Sequence, residues 1–318
     1  PAQNQHLNSE SVFNLFSGYP VPHHTVLDLP LSSYLEQFHF IGLQLCENDP
    51  VKYQSLWLFL AQMVQFPADR PDVSFCFQDK VSGAGADLYF DTISEIIGRK
   101  HYTNSSNVAD MFGNHAEGTV NKLLVVFNES EFSVTKEHQA RIKETITAPR
   151  IVVNEKHRRP YTARAHHRIF FFSNKQNALA LDNGNGERRF SIFKATDKCK
   201  VKDNGKEGFT AEDFDYPAKR YFKTPQFRKA LFTALSTVDL SDYQVKTWRT
   251  LSFSQAYFDA MASNSKLIAK FFVHYLRHMS SGNELSGVPR RDWEPENMPH
   301  IDMVIDVLKS ELHDAVRN

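Results

Sequence analysis

The sequence predicts an α/β fold built around a parallel-rich sheet, and three observations carry that expectation. The stretch Phe75-Cys-Phe-Gln-Asp-Lys-Val-Ser-Gly-Ala-Gly-Ala-Asp-Leu-Tyr-Phe-Asp91 reads as a short apolar strand, a tight glycine turn and the start of a helix. In that layout backbone N–H groups and a helix N-terminus face an anion. The stretch Asn121-Lys-Leu-Leu-Val-Val-Phe-Asn-Glu129 reads as a strand buried on both faces that ends in polar residues. Such strands belong to parallel sheets, and ligands sit beyond their carboxyl ends. Between and after these two, strand-like and helix-like stretches alternate, as a parallel sheet requires.

In chain order, residues 1–26 are polar and loop-like, with one apolar knot at Val12–Phe16 and with Pro20 and Pro22 as helix breakers. Apolar residues recur at helical spacing over Leu27–Glu47 and Asp49–Gln65. Asp49-Pro50 makes a good helix start, and Tyr53, Leu56, Trp57, Leu60 and Val64 form one core-facing stripe. Pro67–Pro71 is a punctuated linker into a strand at Asp72–Phe77. After the glycine turn come a helix over Leu88–Ile97, stopped by Gly98, and a short strand at His101–Thr103. A turn or two of helix over Val108–Gly113 precedes the strand Leu123–Phe127, and Thr135–Thr147 is a polar helix. Ile151–Tyr161 reads as a β-hairpin with Lys156, His157 and Arg158 at or near its tip. Strands follow at Arg168–Asn174 and Arg189–Lys194. Beyond a polar boundary at Lys198–Gly208 the chain turns mainly helical, over Tyr216–Val238 and Ser254–Met279. An amphipathic stripe of Ile301, Val304, Ile305, Leu308 and Leu312 docks at the end.

Composition narrows the function classes. The 318 residues are 41% apolar and 23% charged, as in a soluble globular protein, with Phe unusually frequent at 26. There is no apolar run long enough to cross a bilayer and no signal-peptide pattern, so we expect no membrane partner. Cys46, Cys76 and Cys199 lie too far apart for a disulfide framework or a metal knuckle, and they fit an intracellular, reducing compartment. The start at Pro1, without an initiator Met, is read as part of a longer chain. Formal net charge is zero, which argues against a protein coated in nucleic acid. Residues 141–168 nevertheless hold eight Lys/Arg against two Glu. That concentration fits a narrow contact with phosphates, and its plain alternative is a solvated charged face. His23-His24 and His166-His167 lack spaced acidic or cysteine partners and read as surface or strand residues, not metal ligands.

The glycine turn has a defect. A phosphate-binding loop ends in Gly-Lys-Ser/Thr, with the lysine on the outer phosphates and the hydroxyl on Mg²⁺. Here Ser82-Gly83-Ala84-Gly85 is followed by Ala86 and Asp87. Taken alone, Gly-Ala-Gly also suits a plain strand-to-helix turn. Lys80 lies on the wrong side of the glycines to replace the missing ammonium group.

The order of motifs is more specific than any one of them. Glycine loop, apolar strand ending in Asn-Glu, basic hairpin, apolar strand ending in Ser-Asn, and Glu-Arg-Arg-Phe together resemble the helicase domain of viral and phage primase-helicases, in superfamily 3 of the AAA+ class. The motifs span Gln78–Phe190, and Asn14–Gly18 and Trp57-Leu58 fit the stretch upstream of that domain more loosely. The resemblance implies an AAA+-type P-loop ATPase core at residues 71–200, flanked by an N-terminal helical subdomain (1–70) and a C-terminal one (201–318). It implies ATP and Mg²⁺ as cofactors, single-stranded or forked DNA as partner, a homo-oligomer (a hexameric ring), and a primase or polymerase region upstream. Residue by residue, it places Ser82, Gly83, Ala84, Gly85, Ala86, Asp87 and Leu88 around the phosphates. Glu129 would polarise the attacking water as general base. Asn174 would be the sensor of the γ-phosphate, although a turn former at a strand end reads the same way. Arg188 or Arg189 would act across a subunit boundary as an arginine finger, the choice within the pair left open. Lys156, His157 and Arg158 would grip DNA in the ring pore without reading its sequence.

Two departures bear on the chemistry. Asn128 stands where the family has a metal-binding aspartate, and Asp87, in the Ser/Thr position, can restore that charge by reaching Mg²⁺ directly or through water. Ala86 removes the main protein counter-ion of the β- and γ-phosphates, which lowers phosphoryl-transfer rates by orders of magnitude. Gly-Ala-Gly-Lys-Asp would be a working family loop, so we read Ala86 as a deliberate Lys→Ala change that traps an inactive state, with a naturally lapsed ATPase as the alternative. The expected function is an ATP-driven replicative DNA helicase disabled at position 86. The alternatives are a non-hydrolysing DNA-binding ring scaffold and an unrelated P-loop small-molecule kinase.

Overall fold

The computed structural model of the chain describes residues 16–78, 85–107, 111, 117–129, 136–154, 159–173, 189–196, 199 and 216–241; for Glu117, Glu129, residues 136–139 and Tyr216 it describes the backbone alone. The predicted elements after Ser241, and most of the helical turn predicted at 108–113, lie outside the described residues.

Among the described residues, five parallel strands form the central sheet: β1 (Ser74–Gln78), β2 (Tyr102–Ser105), β3 (Leu124–Glu129), β6 (Arg168–Ser173) and β7 (Phe190–Lys194), in the order β2-β3-β6-β1-β7. The chain leaves β1 for the far edge, returns through β2, β3 and β6, then crosses β1 to reach β7. A reversal of this kind opens a crevice beyond the carboxyl ends of the strands. The register sets Gln78, Glu129, Ser173 and Lys194 in one row at that end. The predicted basic hairpin forms as a separate antiparallel pair, β4 (Arg150–Val153) and β5 (Tyr161–Arg164).

Both sheet faces are buried, which explains why these strands read as unbroken apolar runs. One face carries Phe75 and Phe77 of β1, Phe170 and Phe172 of β6, Leu124 and Val126 of β3, and Phe193 of β7. Four helices cover it: α1 (Leu31–Leu45), α2 (Pro50–Gln65), α3 (Ala86–Ile97) and α6 (Pro225–Thr237). Phe90 of α3 packs 4.6 Å, centroid to centroid, from Phe170, and Phe59 of α2 packs edge-on to Phe75 at 4.9 Å. The opposite face buries Cys76, Val125, Phe127, Phe171 and Ile192. Helix α4 (Lys136–Thr147) contributes the buried Ile142 and Ile146.

Helix ends follow local chemistry. The expected start of α2 is present: Asp49 accepts from Val51 N at 2.9 Å and Lys52 N at 3.3 Å, with Pro50 at the first helical position. Helix α1 begins later than predicted, after Pro30. The helix predicted over 216–238 is two helices, α5 (Tyr216–Tyr221) and α6, because Thr224 caps α6 through Phe227 N at 3.3 Å and Pro225 cannot continue α5. Behind α1, Glu47 accepts from Lys194 N at 2.9 Å and Thr196 N donates to Gln44 O at 2.9 Å, so the α1–α2 turn covers the open edge of β7.

At the amino end of β6 sits a buried basic knot. Arg168 is 1% exposed, and its guanidinium donates to Gln62 Oε1 at 2.7 Å, Phe66 O at 3.0 Å, His166 O at 3.0 Å and the Asp69 carbonyl. It thereby fastens the turn between α2 and β1. Burial lowers its pKa to about 9. It is thus withdrawn from the basic patch expected over 141–168, whose members Arg150, Arg159 and Arg164 remain exposed. His167 is no surface residue either. It is 1% exposed, with Nε2 3.1 Å from both Thr145 O and Arg70 Nη1.

Burial, with the Arg70 guanidinium beside it, holds His167 down at about 3 from an ordinary 6.5. Between those values the unfolded chain binds the extra proton and the folded one does not, so stability falls as pH drops through that window and is unaffected by this group above it. Between pH 7 and pH 5 this contributes about 2 kcal/mol of lost stability. Urea unfolding at the two pH values should show the loss in the parent and a correspondingly shallower one in His167→Gln.

Candidate nucleotide and metal site

The candidate site begins where α3 begins. Gly85 precedes the helix with φ +85, a left-handed conformation that glycine adopts without strain, and Tyr89 N closes the first turn on Gly85 O at 2.9 Å. A side chain there would also meet α1: an added Cβ would lie 3.0 Å from Ile41 Cγ2. Ala86, Asp87 and Leu88 make up the first helical turn, where backbone N–H groups have no partner within the helix and the dipole favours an anion.

Asp87 is exposed, and its carboxylate meets the end of β3: Asn128 Nδ2 donates to Asp87 Oδ1 at 3.0 Å. The same amide nitrogen donates to Asn104 Oδ1, also at 3.0 Å. Alternation explains the meeting. Asn104 is in register with Val126, so Asn104, Val126 and Asn128 share the sheet face that α3 covers. The two residues expected at a metal, Asp87 and Asn128, are therefore brought together. Nothing local marks Asn104 for inclusion, because its β2 strand is short and polar; only the sheet order puts it there.

Glu129 closes β3 in register with Ser173, so its backbone stands in the carboxyl-end row. Asn174, Ser82, Gly83, Ala84, Arg188, and Lys156, His157 and Arg158 at the hairpin tip lie outside the described residues. Arg189 is placed, at the opposite end of the sheet: its carbonyl accepts from Ser74 N at 2.7 Å, at the start of β1. At about 3.3 Å per strand residue it stands about 16 Å from Lys194 and the carboxyl-end row. An arginine side chain does not span that distance, so Arg189 does not reach a phosphate in the crevice of this chain.

Magnesium takes one or two carboxylates, keeps several waters and shares phosphate oxygens. Asp87 beside free N–H groups fits that donor set. Asn128, whose amide N–H points at Asp87, fits as the group that orients the carboxylate. Among the described residues no cluster of three or more His, Cys, Asp or Glu forms a metal cage, and Cys46, Cys76 and Cys199 are free and buried. Burial pushes the Cys76 thiol up to about 12, which leaves it inert. No helix among the described residues is long and apolar enough to cross a membrane.

The sheet order, the left-handed glycine before α3 and the polar strand ends define a mixed α/β fold with a parallel-rich central sheet flanked by helices, an arrangement consistent with a P-loop core. A family of unknown function, DUF5906, matches residues 81–189. No curated protein matches the sequence. Among solved structures, the fold is similar to the apo NrS-1 C-terminal region, at TM-score 0.58 and 18% identity over 76% of this chain and 53% of that one. A second form of the same region gives TM-score 0.59 and 17% identity over 84% of this chain and 61% of that one. The chain thus spans little more than half the length of these relatives. A JCV helicase with a small molecule bound aligns at TM-score 0.38 and 12% identity, over 74% of this chain and 65% of that one, a fit too loose to bear on the fold.

Substituting Gly85 tests the geometry of the site. Gly85→Ala should lose about 1–2 kcal/mol from the left-handed backbone alone, read as a lower urea midpoint. Gly98→Ala, at φ +92 and ψ +128 where only glycine sits without strain, should lose at least as much although no neighbour lies closer than 3.5 Å to the added carbon.

Proposed function

We propose that this chain is the ATPase core of a DNA helicase, a ring translocase on single-stranded DNA, in a form disabled at position 86. The observation that carries the reading is the Asp87 carboxylate at the N-terminus of α3, tied to Asn128 at the carboxyl end of β3. A helix start supplies N–H groups for phosphates, and a carboxylate held beside it supplies a metal ligand. Bound Mg²⁺ would neutralise and orient the phosphate oxygens. Asn128 fixes the direction of Asp87, and Glu129, at the next position of β3, would take the proton of the attacking water.

The placement of Arg189 supports an assembly of several copies. A residue whose backbone stands about 16 Å from the crevice of its own chain can stabilise a transferring phosphoryl group only in a neighbour's, where an arginine finger is worth 10³–10⁵ in rate. The hairpin β4–β5 supports a nucleic-acid partner, because its exposed Arg150 and Arg164 pair directly across the two strands. Cations on such a prong follow a phosphate backbone without reading bases, with binding that weakens steeply in salt.

Ala86 favours a second reading, a ring that binds DNA and nucleotide without turnover. One experiment separates the two. Ala86→Lys should hydrolyse ATP, faster with single-stranded DNA, at least 10²-fold above the parent; Arg189→Ala in that background should lose most of the gain. An Ala86→Lys protein that stays inert supports the scaffold. One that turns over ATP but ignores DNA contradicts the motor and points to a small-molecule kinase.

A further inference from the structure

We propose that Asn104 is a positioning residue of the metal–nucleotide site, holding the Asn128 amide so that it presents an N–H to Asp87. The inference rests on the nucleotide-site reading above. An asparagine amide has two N–H donors and one acceptor oxygen. In Asn128 both donors are committed, one to Asp87 Oδ1 and one to Asn104 Oδ1, each at 3.0 Å. Turning the amide over would set its oxygen against the Asp87 carboxylate, an acceptor only, and would break the bond to Asn104 as that side chain stands. The amide therefore has one orientation, and Asp87 is held through Oδ1 while Oδ2 takes no part in either bond.

Asn104 can do this because of where β2 lies. In register with Val126, it is the diagonal neighbour of Asn128 on the sheet face beneath α3. The three side chains come from a helix and two strands, elements fixed by the core, so the clamp is set before any ligand arrives. With Asn at 128 instead of a second carboxylate, Asp87 is the one charged member of this trio, and the direction of its carboxylate matters correspondingly more. Groups that orient a metal ligand from behind are worth about 10- to 100-fold in metal affinity.

The test titrates Mg²⁺ against a fluorescent ATP analogue in the parent, Asn104→Ala and Asn104→Asp, with the thermal midpoint of each protein measured alongside. Asn104→Ala should raise the half-saturating Mg²⁺ concentration about tenfold or more. Asn104→Asp keeps an acceptor at the same place and should hold that concentration at or below the parent's, with all three proteins melting alike. Asn104→Ala within about twofold of the parent, or both variants shifting together, overturns the role of Asn104 alone. So does a lowered melting point with no change in the Mg²⁺ requirement, which marks a purely structural contact. A parent that shows no Mg²⁺-dependent nucleotide binding overturns the nucleotide-site reading and this inference with it.

Discussion

The bond from Asn128 to Asp87 joins the two halves of the candidate site, and most of the described structure bears on keeping it. Its strand end is set by the parallel register of β3 with β6 and β2, and its helix end by the left-handed turn at Gly85. Neither partner could shift by a residue without losing the other. A one-residue slip of β3 would carry Asn128 to the opposite face of the sheet. A side chain at Gly85 would push α3 off Ile41 of α1.

The register depends in turn on the opposite end of the sheet. There Arg168 uses its guanidinium to satisfy the carbonyls of the α2–β1 connection, tying β6 and β1 to the helical layer. A buried cation without a paired carboxylate costs free energy, and the hydrogen bonds to Gln62 and the turn carbonyls offset it. The aromatic layer between these ends, with Phe75, Phe77, Phe90 and Phe170 in mutual contact, resists sliding because interlocked rings have few alternative packings.

The sequence made legible what rests on short-range chemistry. Asp49-Pro50 announced the start of α2, the apolar runs announced strands buried on both faces, and Gly98 marked the end of α3. The pairing of Ile151–Tyr161 as a hairpin was also readable from its turn-like charged centre. Features created by long-range packing were not. Asn104 carries no local mark, and it became a site residue only because β2 lies beside β3. Arg168 looked like one more cation in a basic stretch, although its strand position places it under α2. His166-His167 read as surface or strand residues, and a polar pair before a strand gives no sign of which helix will cover it. The break between α5 and α6 was signalled by Thr224-Pro225, and the apolar spacing across it masked the signal.

The central claim is that the Asp87 carboxylate, held by Asn128, takes the metal that accompanies a nucleotide. Calorimetric titration of ATP into the chain with and without Mg²⁺, repeated on Asp87→Asn, tests it most directly. The account predicts that Mg²⁺ tightens binding to the parent and that Asp87→Asn, an isosteric change that removes only the charge, abolishes that gain. An equal gain from Mg²⁺ in both proteins would contradict it.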